Sequence, residues 1–486
     1  MLKRDLLNQR DKIITQLKEY VPLIAPFFDL DMSIREYSKW LAEFEIDRVQ
    51  EDRQRLIKEI ITNKVIKLWG EEAPESMGLR FDKRLAFNIA DHHQILSHPF
   101  LLSSNLISSA DKYSNKADPS AIVVISSGDV PPNNYFSKGG FFLHGKKVPL
   151  FSVSERESTS YYIPKRDFGF VRRARNSELW KNFDANEQKF LEGEQQKINS
   201  LDFSRCENYI DQISIVVKGL WPRIFDRTVG KIPELIYITQ EELITECLIN
   251  ILNEKNIISD TLFDPKLREN VLENFRGNVI TWREGEQKGT HFFWRKYPGQ
   301  PRSLRMYVEG DFLVPVDRRF ASLKVRLNSG EIIGLLKTRE IYPSLFTIFS
   351  VLNTYAGVRP LTGYGSAVYL ELFKQAWIKT LTGTIYEKEN ERIAQVDTTG
   401  MVAGLVLFYR KYQEKLRTLY AHDIFCDGAI TKDYLDMVMN MRFSDVIKVG
   451  VAEMYEYYAN KYIPVKKRLR PNISFDDLAS FYFDWI

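Results

Sequence analysis

Two short apolar runs with a helix-length segment between them constrain this chain more than any other feature. Leu85-Ala86-Phe87-Asn88-Ile89-Ala90 has strand length. Ala121-Ile122-Val123-Val124-Ile125 is apolar throughout and β-branched, as buried parallel strands are. Between them Pro99 opens a segment over 99–113 that reads as a helix, since proline suits a first turn whose N–H has no partner anyway. Strand, helix and strand within about 40 residues make a βαβ unit, which places the chain in the α/β class with a Rossmann-like core.

The rest of the chain is divided around that unit. Residues 1–78 read as an N-terminal helical region. Ser33 and Glu36 have capping-box spacing, and Val49, Leu56, Ile60, Ile61 and Val65 lie close to one helical stripe over 46–69. Residues 79–176 hold the first half of the core, with a hairpin over 141–151 around Gly145. Residues 177–277 read as a helical insertion. Residues 278–377 carry a small β-rich segment and the second half of the core. Strands are expected there at 279–282, 292–297, 304–308 and 323–327, and turns at Pro298-Gly299, Glu309-Gly310-Asp311 and Asn328-Ser329-Gly330. A helix is expected over 342–352. Residues 378–486 read as a C-terminal helical region.

The charge balance, 68 basic against 64 acidic residues with a net charge of +4, argues against a nucleic-acid coat. Cys206, Cys247 and Cys426 lie far apart and form neither a metal-ligand spacing nor a disulfide framework, which fits a reducing compartment. Met1-Leu2-Lys3-Arg4-Asp5 has no apolar signal core, and the apolar run over 401–408, broken by Gly404, is too short to span a bilayer. The expectation is a cytoplasmic protein acting on small-molecule substrates, with no membrane or nucleic-acid partner and with a homo-oligomer allowed.

Candidate site residues cluster where strands end. Asp91-His92-His93-Gln94-Ile95-Leu96-Ser97-His98-Pro99 joins the first strand to its helix. In open α/β sheets that carboxyl edge is where ligands bind, and a helix start offers amide donors to anions. Imidazole near neutral pH transfers protons or binds metals. The second strand ends in Ser126-Ser127-Gly128-Asp129-Val130-Pro131-Pro132-Asn133-Asn134, which brings hydroxyls, a carboxylate and amides to the same edge. Gly363-Tyr364-Gly365-Ser366 precedes another helix and could let backbone amides approach an anion. The plain alternatives are that the histidines cap the helix or fill a polar turn, that the second loop is a turn rich in turn formers, and that a G-x-G occurs commonly without binding anything. The basic clusters at Lys165-Arg166 and Lys466-Lys467-Arg468 read as solvated surface.

The order of these pieces resembles the bacillithiol-synthesis cysteine-adding ligase family and a looser set of bacterial proteins with a Gly-His-Gln … His-Pro motif. Asp91-His92-His93 stands where those proteins have Gly-His-Gln or Gly-Gln-Gln, and His98-Pro99 where they have His-Pro or Gly-Pro. Asp129 falls near the ligases' acidic pair, Arg339 lies within the counterpart of their Ser-Pro-Asn stretch, and Gly363–Ser366 is similar to their glycine loop. The resemblance spans about residues 85–377. It implies an enzyme joining an amine or amino acid to a small acceptor, with room for nucleotide activation. It implies roles too: His92 or His98 as general base, Asp129 positioning a hydroxyl or ammonium, and Arg339 on an acyl carboxylate. Asp91, His93, Ser127, Asn133, Gly363, Tyr364, Gly365 and Ser366 would complete the substrate and anion site.

Two other readings remain open from sequence. Asp91-His92-His93 after an apolar strand is the signature of an Asp-His-His metal-dependent phosphoesterase, which would hold divalent metal. Upstream aspartates for such a centre are limited to Asp29, Asp31 and Asp82 among the candidates. A non-catalytic binding or assembly protein on a ligase-like fold is the third.

Overall fold

The computed structural model describes residues 3–81, 84–113, 119–398, 405–413 and 415–486. Four strands form a parallel sheet: β1 (Ala86–Asn88), β2 (Ile122–Ser126), β3 (Leu235–Thr239) and β4 (Arg359–Leu361), in the order β4-β1-β2-β3. From β1 the chain steps to β2 and then β3, and afterwards returns to pair β4 on the other side of β1. The loops leaving β1 and β4 therefore part at the carboxyl edge, where such a reversal opens a crevice. Five helices matter below: α1 (Arg48–Trp69), α2 (Pro99–Ile107), α3 (Tyr209–Leu220), α4 (Gln240–Ile251) and α5 (Ser366–Leu381).

β3 overturns the helical insertion expected over 177–277. Leu235-Ile236-Tyr237-Ile238-Thr239 is buried at every position and pairs with β2 along its whole length. The segment before and after it is helical, and α4 follows directly, capped by Thr239. The central sheet thus draws a strand from the middle of that stretch.

The capping box of Ser33 and Glu36 forms, with Ser33 Oγ accepting from the Glu36 amide. The buried stripe of α1 is rotated from the expected one and runs through Gln54, Ile57, Ile61, Val65 and Leu68. Gln54 belongs inside because its amide is fully used. It donates to the Ala356 and Gly357 carbonyls at 3.0 and 3.1 Å and accepts from the Leu85 amide at 2.9 Å.

A five-stranded antiparallel sheet packs beside the core, in the order Ile341–Pro343, Phe293–Lys296, Ser303–Glu309, Phe312–Pro315, Val325–Arg326. Residues 279–282 are a turn rather than a strand, because Trp282 is driven into the core against the rings of His291, Phe292 and Phe346. Only Val325–Arg326 pairs within 323–327. Asn328 caps a helix over Ser329–Lys337 instead of closing a turn. Over 342–352, Ile341–Pro343 is strand and the helix starts at Leu345 under the Ser344 cap.

The expected hairpin forms over Gly140–Leu143 and Lys146–Pro149. The C-terminal region is mainly helical but contains a second hairpin, Tyr409–Tyr412 with Lys415–Thr418. Of the apolar run over 401–408, Leu405–Phe408 is buried and non-helical, and residues 401–404 lie outside the described residues, as does Asp82. One core of buried side chains runs from Ile13 to Phe483. No helix among the described residues is long and apolar enough to cross a membrane.

Candidate functional site

The loops after β1, β2 and β4 meet at the carboxyl edge of the parallel sheet. The His93 amide donates to the Ser127 carbonyl at 2.8 Å, and the Ser127 amide to the Asp91 carbonyl at 2.9 Å. Tyr364 meets Phe100 edge-on, 5.5 Å between ring centroids. The space between the loops is nevertheless filled. The Phe136 ring lies 5.0 Å from that of His92, 4.8 Å from His98 and 5.3 Å from Phe100.

The glycine loop is closed from above by the helix Val451–Tyr462. A methyl group on Gly365 would overlap the Tyr457 hydroxyl, and the Tyr458 hydroxyl donates to the Tyr364 carbonyl. Ser366 is fully buried and donates to the Gly363 carbonyl at 2.6 Å. Gly363, Tyr364, Gly365 and Ser366 therefore form a packed corner and not the anion cradle expected of them.

Asp91 and His93 turn inward, against expectation. Asp91 is 2% exposed and accepts from the Tyr237 hydroxyl and from Asn105 Nδ2 at 3.1 Å. Burial pushes its carboxyl up to about 7, against the pull of those donors. His93 is 1% exposed, with Nδ1 2.7 Å from Ser126 Oγ and Nε2 2.7 Å from the Ile210 carbonyl. A carbonyl only accepts, so Nε2 carries a proton. Burial holds its pKa down at about 4. Both nitrogens are spent and Asp91 faces another direction, so Asp91-His92-His93 does not assemble the metal-binding set of the phosphoesterase reading.

His92 and His98 remain. Burial lowers His92 to about 4; Asn134 is the neighbour that favours its charged form, and its Nδ1 has no partner. His98 is the N-cap of α2, where Nδ1 accepts from the Phe100 amide at 3.2 Å. That lone pair is committed, so the neutral ring carries its proton on Nε2 and presents a donor, not a base. Burial, then His92 and Lys138, lower its pKa to about 3.

Asp129 has a partner that sequence reading missed. Glu241, at the start of α4, accepts from the Gly128 and Asp129 amides at 2.8 and 3.0 Å. Ser127 Oγ donates to Asp129 at 2.7 Å and accepts from Gln240. Burial raises the pKa of both carboxyls, and the negative charge of Asp129 adds to the rise at Glu241. Asn133 is exposed and tied to Glu157 at 2.8 Å. Arg339 lies elsewhere, against the side of α4. It pairs with Glu242 at 2.9 Å, donates to the Tyr161 carbonyl at 2.7 Å and stacks on the Tyr161 ring. It is spent on structure and is not free for an acyl carboxylate.

The open space lies next to these loops. A cleft of about 660 Å³ starts at His98 and Pro99 and is walled by residues read only as hairpin or helix from sequence. Its walls bring Asp423, Asp427, Glu453 and Asp476 against Arg410 and Arg417, an acidic excess. Burial, with help from Glu456, raises Glu453 to about 7. His144, at the tip of the first hairpin, donates its amide to Asp423 at 2.6 Å and places its ring between Glu187 and Asp427. Burial opposes charge on that ring, but the surrounding carboxylates outweigh it and raise its pKa. The available sequence signals were the hairpin tip itself and the Asp423…Asp427 spacing. Against this geometry, no protein-family model, curated protein or solved structure matches the chain.

Proposed function

We propose that the chain is a carbon–nitrogen bond-forming enzyme on a Rossmann-like core, joining an amine or amino acid to a small acceptor in the cleft beside His98, with a nucleoside triphosphate activating the acceptor's oxygen so that it leaves as phosphate or nucleotide when the new bond forms. The observation that carries the reading is the pairing, in one cleft, of a carboxyl group titrating near neutrality, Glu453, with a neutral imidazole donor, His98. A carboxyl raised to about 7 is a stronger base than an ordinary carboxylate and still keeps an ionised fraction near neutral pH to take a proton from an ammonium nucleophile. The acidic excess of the walls favours a cationic amine substrate. Glu453 replaces His92 and His98 as the base, and His98 Nε2–H orients or polarises an oxygen of the acceptor. The three free cysteines fit a cytoplasmic setting.

Ligand-induced thermal shift tests the reading. The intact chain, Glu453→Gln and His98→Ala are heated with amino acids, simple amines, nucleotides and divalent metals. A ligand that binds the folded state raises Tm by mass action. The expected result is a rise with an amino acid or amine that falls at least tenfold in apparent affinity in Glu453→Gln. No rise with any amine or amino acid, or one equal in both variants, overturns the reading and favours a non-catalytic assembly role.

A further inference from the structure

We propose that His144, Cys426 and Asp427 form a binding site for a divalent metal of the zinc class, on the wall of the cleft and with one position open to it. One donor atom from each lies within 4.8 Å of the others. Thiolate, imidazole and carboxylate together are a zinc-type donor set, and three protein ligands leave a fourth tetrahedral position for water or substrate. Metal–ligand bonds of about 2.0–2.3 Å bring such donors to roughly 3.5 Å of each other, a small contraction from the present spacing.

The surroundings are built in the way metal-bound histidines are supported. His144 Nδ1 is 2.8 Å from Glu187, leaving Nε2, now 3.0 Å from Asp427, for the metal. A carboxylate behind the ligating imidazole fixes its tautomer and raises its basicity. Glu187 is only 6% exposed at its side chain and is itself anchored by Lys146 at 2.6 Å and by the Asp184 amide at 2.8 Å. His144 holds a left-handed backbone, φ 48°, at the hairpin tip, and its amide is pinned to Asp423. Cys426 and Asp427 close the helix Ala421–Asp427, whose carbonyl end carries negative partial charge. An ion pair between His144 and two carboxylates would account for the imidazole and the acids. Burial and Asp427, to which the thiol hydrogen-bonds, hold Cys426 up at about 11, so a bound metal would take the place of that thiol proton.

The site is independent of the carbon–nitrogen reading, because metal binding is read with no substrate present. The intact chain is stripped with chelator and titrated with Co²⁺ alone. The expected result is a near-ultraviolet thiolate-to-cobalt band with visible bands of four-coordinate cobalt, saturating at one ion per chain and displaced by Zn²⁺. Cys426→Ser should abolish the ultraviolet band, while Cys206→Ser should keep it. Asp427→Asn and Glu187→Gln should each weaken Co²⁺ binding by about 10–100-fold, with circular dichroism unchanged. Absence of the thiolate band in the intact chain overturns the proposal, as does a band that survives in Cys426→Ser.

Discussion

At His93 both ring nitrogens are spent inside the fold, on Ser126 and the Ile210 carbonyl, whereas His98 spends one on the Phe100 amide and lines the cleft. Nothing in the residue types separates them; the difference is that His93 packs between the β2 end and the helix Tyr209–Leu220 whereas His98 caps α2. Asp91 shows the same point with a consequence that can be measured. Its folded pKa of about 7 lies above the usual aspartate value, so its contribution to stability is fully present below about pH 4. That contribution is lost as pH rises through about 7, when the buried carboxyl must ionise. Asparagine keeps an acceptor for Tyr237 and Asn105 and cannot ionise. Asp91→Asn should therefore raise Tm relative to wild type at pH 8 and lose the advantage at pH 5. A Tm difference that does not change with pH between 5 and 8 would count against the buried-acid assignment.

At the scale of elements, the strands with the clearest texture were readable and the ones that need tertiary context were not. β1, β2, the first hairpin and the helix at Pro99 follow from apolar runs, turn residues and a proline. β3 has an equally apolar sequence, but it lies among helices and its partner β2 is more than 100 residues earlier, by the numbering of their pairing. The turn at 279–282 has strand-like residues, but Trp282 enters the core and Thr281 ties the turn back to the Phe275 and Asn278 carbonyls. The loops of the site meet at one sheet edge, yet their openness depended on Phe136, just beyond the second loop, and on Tyr457 and Tyr458 from the distant helix Val451–Tyr462, which cover them. The first hairpin also offers a local test. A methyl group on Gly140 would run into the Val148 carbonyl of the facing strand. Overpacking of this kind typically costs about 1–3 kcal/mol. Gly140→Ala should loosen the hairpin, displace His144 and weaken Co²⁺ binding at least tenfold, with helical circular dichroism retained.

Across the whole molecule, a buried ion network ties segments that are far apart in sequence. Lys64 on α1 reaches Asp211 on α3 at 2.7 Å and Glu242 on α4 at 2.6 Å, and Arg339 closes the set on Glu242. Asp211 is fully buried at its side chain, so its charge has no recourse to water. Removing one partner of a buried pair costs about 3–5 kcal/mol, mostly by stranding the other. Lys64→Met should lower the unfolding free energy read from urea titration by an amount of that order, and Lys67→Met, whose partner Glu207 is exposed, should cost under about 1 kcal/mol.

The pairing of β4 with β1 also sets a timetable for synthesis. Arg359 joins Ala86 across roughly 270 residues of chain. At about 5–20 residues per second, β1 waits on the order of 15–50 s with one edge unpaired while the ribosome makes the rest. An open strand edge is a template for wrong partners, and a short one is a poorer template. Three residues is the length that β1 presents.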